Sequence, residues 1–134
     1  MTVGLDVREL LAVFAGGFAG AIARLALVEG MASDPGTWPW GTFVANIAGA
    51  LALGYVAARL HERRPVPSVR LRLLGTGFCG ALTTFSTLQL ELLLMLDGGE
   101  HERAAAYVLV SVAAGLAVLV AGGALACRQR RAAS

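Results

Sequence analysis

Four long apolar stretches constrain this chain more than any other feature of its sequence. Each provides roughly the 20 mostly apolar residues that an α-helix needs to cross the hydrocarbon core of a bilayer. They run over residues 10–28, 38–60, 71–96 and 104–127. The sequence therefore predicts an all-α integral membrane protein, with residues 1–134 forming a single domain of four transmembrane helices.

Polar segments with turn residues separate the four stretches. The first connection contains Asp34-Pro35-Gly36, the second Arg63-Arg64-Pro65-Val66-Pro67 and the third Asp97-Gly98-Gly99-Glu100. Proline, glycine and clustered charges interrupt helices. We therefore expect a helix end at each of these segments.

The distribution of arginine predicts the orientation of the chain. Four crossings place both termini and the middle connection on one side of the membrane. That side holds nine arginines, whereas the other side holds only Arg103: the nine are Arg8, Arg59, Arg63, Arg64, Arg70, Arg72, Arg128, Arg130 and Arg131. Because positive residues accumulate in cytoplasmic loops, we expect a multi-pass protein of the cell membrane with both termini in the cytoplasm.

Composition argues against several other classes of protein. Only 15% of the residues are charged and 57% are hydrophobic, which is unlike a water-soluble enzyme or a disordered segment. A formal net charge of +2 is too small for a typical nucleic-acid binder. His61 and His101 lie in opposite connections without metal-ligand companions, and Cys79 and Cys127 are expected to be free buried thiols. We therefore expect neither enzymatic activity nor a nucleic-acid partner.

Small residues crowd three of the apolar stretches. They include Gly16-x-x-x-Gly20 in the first, Ala45, Ala48, Gly49 and Ala52 in the second, and Gly115, Gly122 and Gly123 in the fourth. Close backbone approach drives helix association in lipid. These faces either pack the single chain or bring two chains together, and the sequence slightly favours a dimer.

The first two stretches each contain a polar residue that needs an explanation, Arg24 and Asn46. Arg24, late in the first stretch, is either a snorkelling arginine or a group that attracts anions in a water-filled vestibule. Asn46, in the second stretch, either hydrogen-bonds a neighbouring helix or lines a polar pathway. Because lipid penalises unsatisfied polar groups, each of these residues needs a specific partner.

The third stretch has the composition of an interrupted helix. Three glycines and five hydroxyl residues occupy the segment from Gly75 to Leu88. A break near Gly80 to Thr84, close to mid-membrane, would free backbone carbonyl oxygens that could hold a cation. The alternative is a bent but unbroken helix whose hydroxyls bond to the preceding turn.

Hydroxyl and aromatic side chains continue from this segment into the fourth stretch. Phe85 and Leu88 share one helical face, Ser86 and Thr87 point elsewhere, and Tyr107 and Ser111 share a face of the fourth helix. Hydroxyl donors and the positive edge of an aromatic ring suit an anion. Glu91 is either a group at the mouth of such a pathway or a hydrogen-bond partner of a neighbouring helix.

Three motifs closely resemble those of the Fluc/CrcB family of fluoride channels. They are Gly16-Gly17-x-x-Gly20-Ala21-x-x-Arg24, Gly41-Thr42-x-x-x-Asn46-x-x-Gly49 and Gly77-Phe78-Cys79-Gly80-Ala81-Leu82-Thr83-Thr84-Phe85-Ser86-Thr87. The chain length and the layout of four spans also agree. The resemblance therefore covers nearly the whole chain.

The resemblance implies an antiparallel dimer in the lipid membrane that conducts fluoride and contains one structural sodium ion. By analogy, the main-chain oxygens of Gly80 and Thr83 from each subunit hold the sodium, Arg24 lies in a vestibule and Glu91 matches an acidic position. The implied fluoride pathway is lined by Asn46, Phe85, Ser86, Thr87, Tyr107 and Ser111. The role implied for the family is passive export of fluoride that has entered the cytoplasm as HF.

Leu88 departs from the family pattern, which has a second phenylalanine at this position. An aliphatic side chain lacks a positive ring edge, so the aromatic box around the pathway is altered. A chain with nine arginines on one side and one on the other also inserts in one orientation. Both features favour a heterodimer with a homologue inserted the opposite way.

Two other functions remain as alternatives. A small multidrug-type cation/proton antiporter would need a carboxylate within the first stretch, where the only ionisable group is Arg24. A non-transporting membrane scaffold would use its polar residues only to join helices. In that case, replacing Asn46 or Ser111 would change folding without affecting permeation.

Overall fold

The computed structural model describes residues 6–34, 37–61 and 68–132. Within these ranges, four helical spans are long and apolar enough to cross a membrane. Helix α1 covers Val7–Gly30, α2 covers Trp40–His61 and α6 covers His101–Arg131. The third span consists of α3 (Ser68–Leu71), a π-helical segment (Arg72–Cys79), α4 (Gly80–Leu82) and α5 (Phe85–Asp97).

The helices extend beyond several ends of the apolar stretches because polar residues continue or cap them. Helix α1 begins three residues early, at Val7, since the carboxylate of Asp6 accepts a hydrogen bond from Arg8 N at 3.1 Å. Helix α6 continues through the arginines to Arg131. Arginines in the last turn interact favourably with the negative end of the helix dipole.

The third connection ends a helix where the sequence predicts it. In the third connection α5 ends at Asp97, and Gly99 adopts the left-handed backbone conformation with φ of 77°. Glycine adopts this conformation without steric penalty. Of the other two segments, Pro35-Gly36 and Arg63-Arg64-Pro65-Val66-Pro67 lie outside the described residues.

Polar contacts show which helix ends lie together. At one end of the bundle, Arg72 Nε is 3.6 Å from Glu9 Oε2, and Tyr55 Oη donates to Gln129 Oε1 at 2.8 Å. The start of α1, the end of α2, the start of the third span and the end of α6 therefore share this end. This is the arrangement that four successive crossings require, and the described arginines of the predicted cytoplasmic side cluster there.

The first span and the third span cross at glycines. A Cβ on Gly16 would meet the backbone of Leu73 and Phe78, and one on Gly20 would meet the backbone of Phe78. On the opposite helix, a Cβ on Gly77 would lie 2.8 Å from Val13 O. The backbones approach so closely that no side chain fits between them.

The small-residue faces thus pack the single chain to a large extent. Gly49 lies against Thr83 of the third span, and Gly122 of α6 lies against Leu51 of α2. Gly17 and Gly115, by contrast, have open space where a Cβ would be. Most of the glycines that suggested a dimer are therefore occupied by contacts within the chain.

The third span is interrupted within the segment where the sequence predicts a break. Helix α4 ends at Leu82 and α5 begins at Phe85. Between them, Thr83 (φ −80°, ψ 151°) and Thr84 (φ −146°, ψ 126°) are extended. The predicted alternative of an unbroken helix is therefore wrong, although Thr83 Oγ1 does donate to Cys79 O in the preceding turn at 3.1 Å.

We predict that Gly16→Ala lowers the free energy of unfolding by about 1–3 kcal/mol, the usual cost of overpacking a tight contact. The neighbouring backbone of Leu73 and Phe78 cannot move aside as a flexible side chain would. Thermal unfolding in detergent, followed by helical circular dichroism, measures this change. Gly17→Ala is the matched control and should be neutral, because nothing lies within 4 Å of its Cβ; equal losses in both variants would contradict the close crossing.

Candidate functional site

Asn46 of α2 binds the extended residues that interrupt the third span. Its Nδ2 donates to Thr84 O at 3.1 Å, and its Oδ1 accepts from Thr84 N at 2.7 Å. Unpaired backbone groups are costly in an apolar environment. The single carboxamide therefore satisfies both backbone groups of Thr84, and of the two predicted roles for Asn46 the structure contains the interhelical hydrogen bond.

Two carbonyl oxygens near the break lack the N–H donors that a continuous helix would give them. In a continuous helix Thr84 N would donate to Gly80 O, but here it donates to Asn46 Oδ1. Likewise Thr87 N would donate to Thr83 O, but it donates to Thr84 Oγ1 at 3.3 Å. Gly80 is exposed and Thr83 half-buried, so a freed carbonyl lies at or near the surface of the chain.

Three hydroxyl groups cluster at the start of α5. Thr84 Oγ1 donates to Thr87 Oγ1 at 3.1 Å and lies 3.3 Å from Ser86 Oγ. Thr84 is also the N-cap of α5 and is only 8% exposed. The structure thus brings together the predicted pathway residues Ser86 and Thr87. Thr84, which connects them, was missed as a site residue although an N-cap threonine before a helix is a readable signal.

Glu91 binds hydroxyl groups from two other helices. Thr42 Oγ1 of α2 donates to Glu91 Oε1, and Tyr107 Oη of α6 donates to Glu91 Oε2 at 2.8 Å. Thr42 is 1% exposed and Tyr107 is fully buried. The hydroxyl of Tyr107, predicted to be a donor to an anion, is therefore bonded to a carboxylate that lies 16 residues away in the sequence.

A cavity of about 270 Å³ extends from Glu91 towards the connection between α1 and α2. Its lining is mostly apolar, and its polar members are Ser33, Asp34, Thr37, Thr42 and Glu91. The cavity lies at the bundle end opposite the arginine cluster. Of the two predicted interpretations of Glu91, the structure contains the hydrogen bonds to neighbouring helices, and the same side chain also borders this cavity.

The predicted aromatic and hydroxyl positions differ in exposure. Phe85 is 72% exposed, whereas Leu88 is half-buried and packs against the cluster of Met95, Ala104 and Tyr107. Ser111 Oγ is buried, and no described group bonds to it. Phe85 is therefore available to a surface outside the chain, whereas Leu88 contributes to the chain's own packing.

Arg24 is half-buried in α1. Among the ion pairs of the described residues, none includes its guanidinium group. The described residues also contain no group of three or more histidine, cysteine, aspartate or glutamate side chains that could hold a metal ion.

Comparison with known proteins identifies close relatives. Residues 11–123 match the family described as CrcB-like protein, Camphor Resistance (CrcB). A relative from Mycolicibacterium paratuberculosis (strain ATCC BAA-968 / K-10), named fluoride-specific ion channel FluC 1, is 58% identical over 111 residues, covering 83% of this chain and 84% of the relative. One from Phenylobacterium zucineum (strain HLK1), named fluoride-specific ion channel FluC, is 44% identical over 124 residues, covering 91% and 98%.

We predict that Asn46→Leu destabilises the protein by about 1–3 kcal/mol for each backbone group of Thr84 left unpaired. Leucine has a similar size but can neither donate to Thr84 O nor accept from Thr84 N. Thermal unfolding in detergent measures the loss. Gln89→Leu makes a comparable amide-to-apolar change at an exposed position of the same span and should have little effect; similar losses in the two variants would refute the role assigned to Asn46.

Proposed function

This chain belongs to the CrcB family, and we propose that it forms a fluoride-selective ion channel that lets cytoplasmic fluoride leave the cell passively. The observation that supports this most directly is the interruption of the third span, which Asn46 holds open. The relatives named fluoride-specific ion channels supply the identity of the ion. The described geometry supplies polar groups where a simple helical bundle would have none.

The proposed pathway uses hydrogen-bond donors to replace the water around fluoride. Fluoride is a small anion, so it must exchange a strongly held hydration shell for donors along its route. Asn46, Ser86 and Thr87 lie at the break, and Ser111 lies on α6 with a buried hydroxyl that has no described partner. The exposed ring of Phe85 adds a positive edge, and Arg24 attracts anions towards the entrance.

Tyr107 and Glu91, unlike the donors above, are already hydrogen-bonded to each other. Because Tyr107 Oη donates its proton to Glu91, the hydroxyl must leave the carboxylate before it can bind an anion. Thr42 remains as a second donor to Glu91. The pair would therefore act at the mouth of the pathway, beside the cavity that Glu91 borders.

We also propose that a structural sodium ion binds at the break. Sodium prefers oxygen ligands, and unwound backbone carbonyls hold sodium in other membrane proteins. Gly80 O and Thr83 O fit this requirement, since the N–H groups that would occupy them in a continuous helix bond elsewhere. Each of two subunits would contribute these two oxygens and so fix the subunits relative to each other.

The proposed assembly is an antiparallel dimer with an oppositely inserted homologue. Phe85 and Gly80 are exposed on the described chain, which leaves both available to a second subunit. In this proposal the arginine distribution inserts the chain in the cell membrane in one orientation, with both termini in the cytoplasm. Leu88 lacks the ring edge of the family pattern, so we expect the partner to supply the missing aromatic group.

We predict that proteoliposomes containing this chain and an oppositely biased homologue release fluoride much faster than chloride. The chain alone should release fluoride slowly, because it inserts in one orientation and lacks an aromatic group at Leu88. A fluoride-selective electrode and a chloride electrode measure efflux from vesicles loaded with both ions.

The two parts of this prediction fail in different ways. Rapid fluoride release by the chain alone would refute the need for a heterologous partner and leave the channel function intact. Equal release of fluoride and chloride, or no release with the partner present, would refute the fluoride channel itself. Protein-free vesicles give the background rate.

We predict that replacing sodium with N-methyl-D-glucamine on both sides of the vesicle abolishes most of the fluoride efflux. The large organic cation cannot enter a site formed by carbonyl oxygens. Sodium should also raise the unfolding temperature, because a ligand that binds only the folded state stabilises it by mass action. Unchanged efflux and unfolding temperature in sodium-free buffer would exclude the proposed sodium site.

A further inference from the structure

Two buried hydrogen-bond donors have no partner among the described residues: Ser111 Oγ and Trp38 Nε1. Buried polar groups in native proteins are nearly always paired, so each exception needs an explanation. Ser111 belongs to the proposed pathway. We propose that the indole N–H of Trp38 is an additional donor to the permeating anion at the mouth of that pathway, an inference that rests on the proposed function.

Packing with other aromatic rings fixes the position of Trp38. Its ring meets Tyr107 nearly edge-on, with centroids 5.3 Å apart and planes at 78°. Phe43 makes a similar contact at 5.7 Å and 72°, and Trp40 lies at 6.0 Å. A ring held in this way presents its N–H in a fixed direction, so little reorganisation is needed when an anion arrives.

Trp38 also lies beside the acidic end of the pathway. Tyr107, which contacts the indole ring, donates its hydroxyl to Glu91. Thr37 and Pro39, the residues on either side of Trp38, line the cavity that Glu91 and Thr42 border. An ion that enters through this cavity therefore passes close to Trp38.

Trp38 differs from the neighbouring hydroxyl groups because its N–H is not already donated to another described group. Thr42 and Tyr107 each have one hydroxyl proton, and both protons are committed to Glu91. An indole N–H is a donor only, so it cannot be satisfied by donors around it. At this end of the described structure, Trp38 thus offers a proton that an arriving anion can bind without first breaking a hydrogen bond within the protein.

The two tryptophans of the chain make this proposal directly testable, since the sequence contains only Trp38 and Trp40. Nuclear magnetic resonance of indole-¹⁵N-labelled protein, in bicelles with its partner where the partner is needed for conduction, gives one N–H signal for each. Trp40→Phe and Trp38→Phe assign the signals. We expect sodium fluoride to shift the Trp38 proton saturably, while sodium chloride at the same concentrations does not.

Fluoride efflux provides the second measurement. Replacing Trp38 with 3-benzothienylalanine keeps the size and aromatic packing of the side chain but removes the N–H. We expect this variant to conduct fluoride roughly tenfold more slowly, which corresponds to about 1.4 kcal/mol. The same replacement at Trp40, which is 52% exposed, is the matched control and should conduct normally.

Each outcome bears on a specific claim. If the wild-type protein conducts fluoride, the inference is overturned when the chemical shift of the Trp38 N–H proton does not change with fluoride, or changes equally with chloride. Normal efflux through the benzothienyl variant overturns it as well. A cross-peak to water that fluoride does not displace would assign the N–H to a bound water instead. Absence of fluoride conduction in the wild type, by contrast, refutes the proposed function rather than this donor alone.

Discussion

The pair of hydrogen bonds between Asn46 and Thr84 determines much of the rest of the structure. By pairing both backbone groups of Thr84, one carboxamide allows an extended segment to persist inside an apolar span. The same bonds free the carbonyl of Gly80 and let Thr84 cap a new helix. Gly49 supports this arrangement on α2, because any side chain there would meet Thr83.

The sequence predicted local features well and long-range partners poorly. Apolar length located the four spans, and glycine with hydroxyl residues located the break near Thr83. The partners of Glu91 could not be read in this way, because Thr42 lies 49 residues away and Tyr107 lies 16 away. The small residues did not show whether they pack one chain or join two, for a similar reason. Glycine permits close approach of a helix, but its spacing in the sequence does not identify that helix.

A carboxylate beside a proposed anion pathway raises a problem that its hydrogen bonds help to resolve. Each carboxylate oxygen of Glu91 accepts one hydroxyl hydrogen bond, and these two bonds, from Thr42 and Tyr107, stabilise its negative charge. The same bonds commit the hydroxyl protons of both residues to Glu91. At this end of a pathway, an anion competes with Glu91 for the hydroxyl of Tyr107. It binds that hydroxyl only when it is the better hydrogen-bond acceptor.

The exposed surface around the break gives a physical reason to expect a second subunit. Irregular backbone does not face lipid, because the hydrocarbon offers no hydrogen bonds to unpaired carbonyl groups. Gly80 and Ser86 are nevertheless exposed on the described chain, next to a carbonyl that has lost its helical partner. Lipid could cover the exposed ring of Phe85, but it could not satisfy the polar groups beside it. Since Asn46 already bonds Thr84, the freed carbonyl of Gly80 needs a donor or a cation from another source, and the proposed second subunit would offer a donor or complete a cation site there.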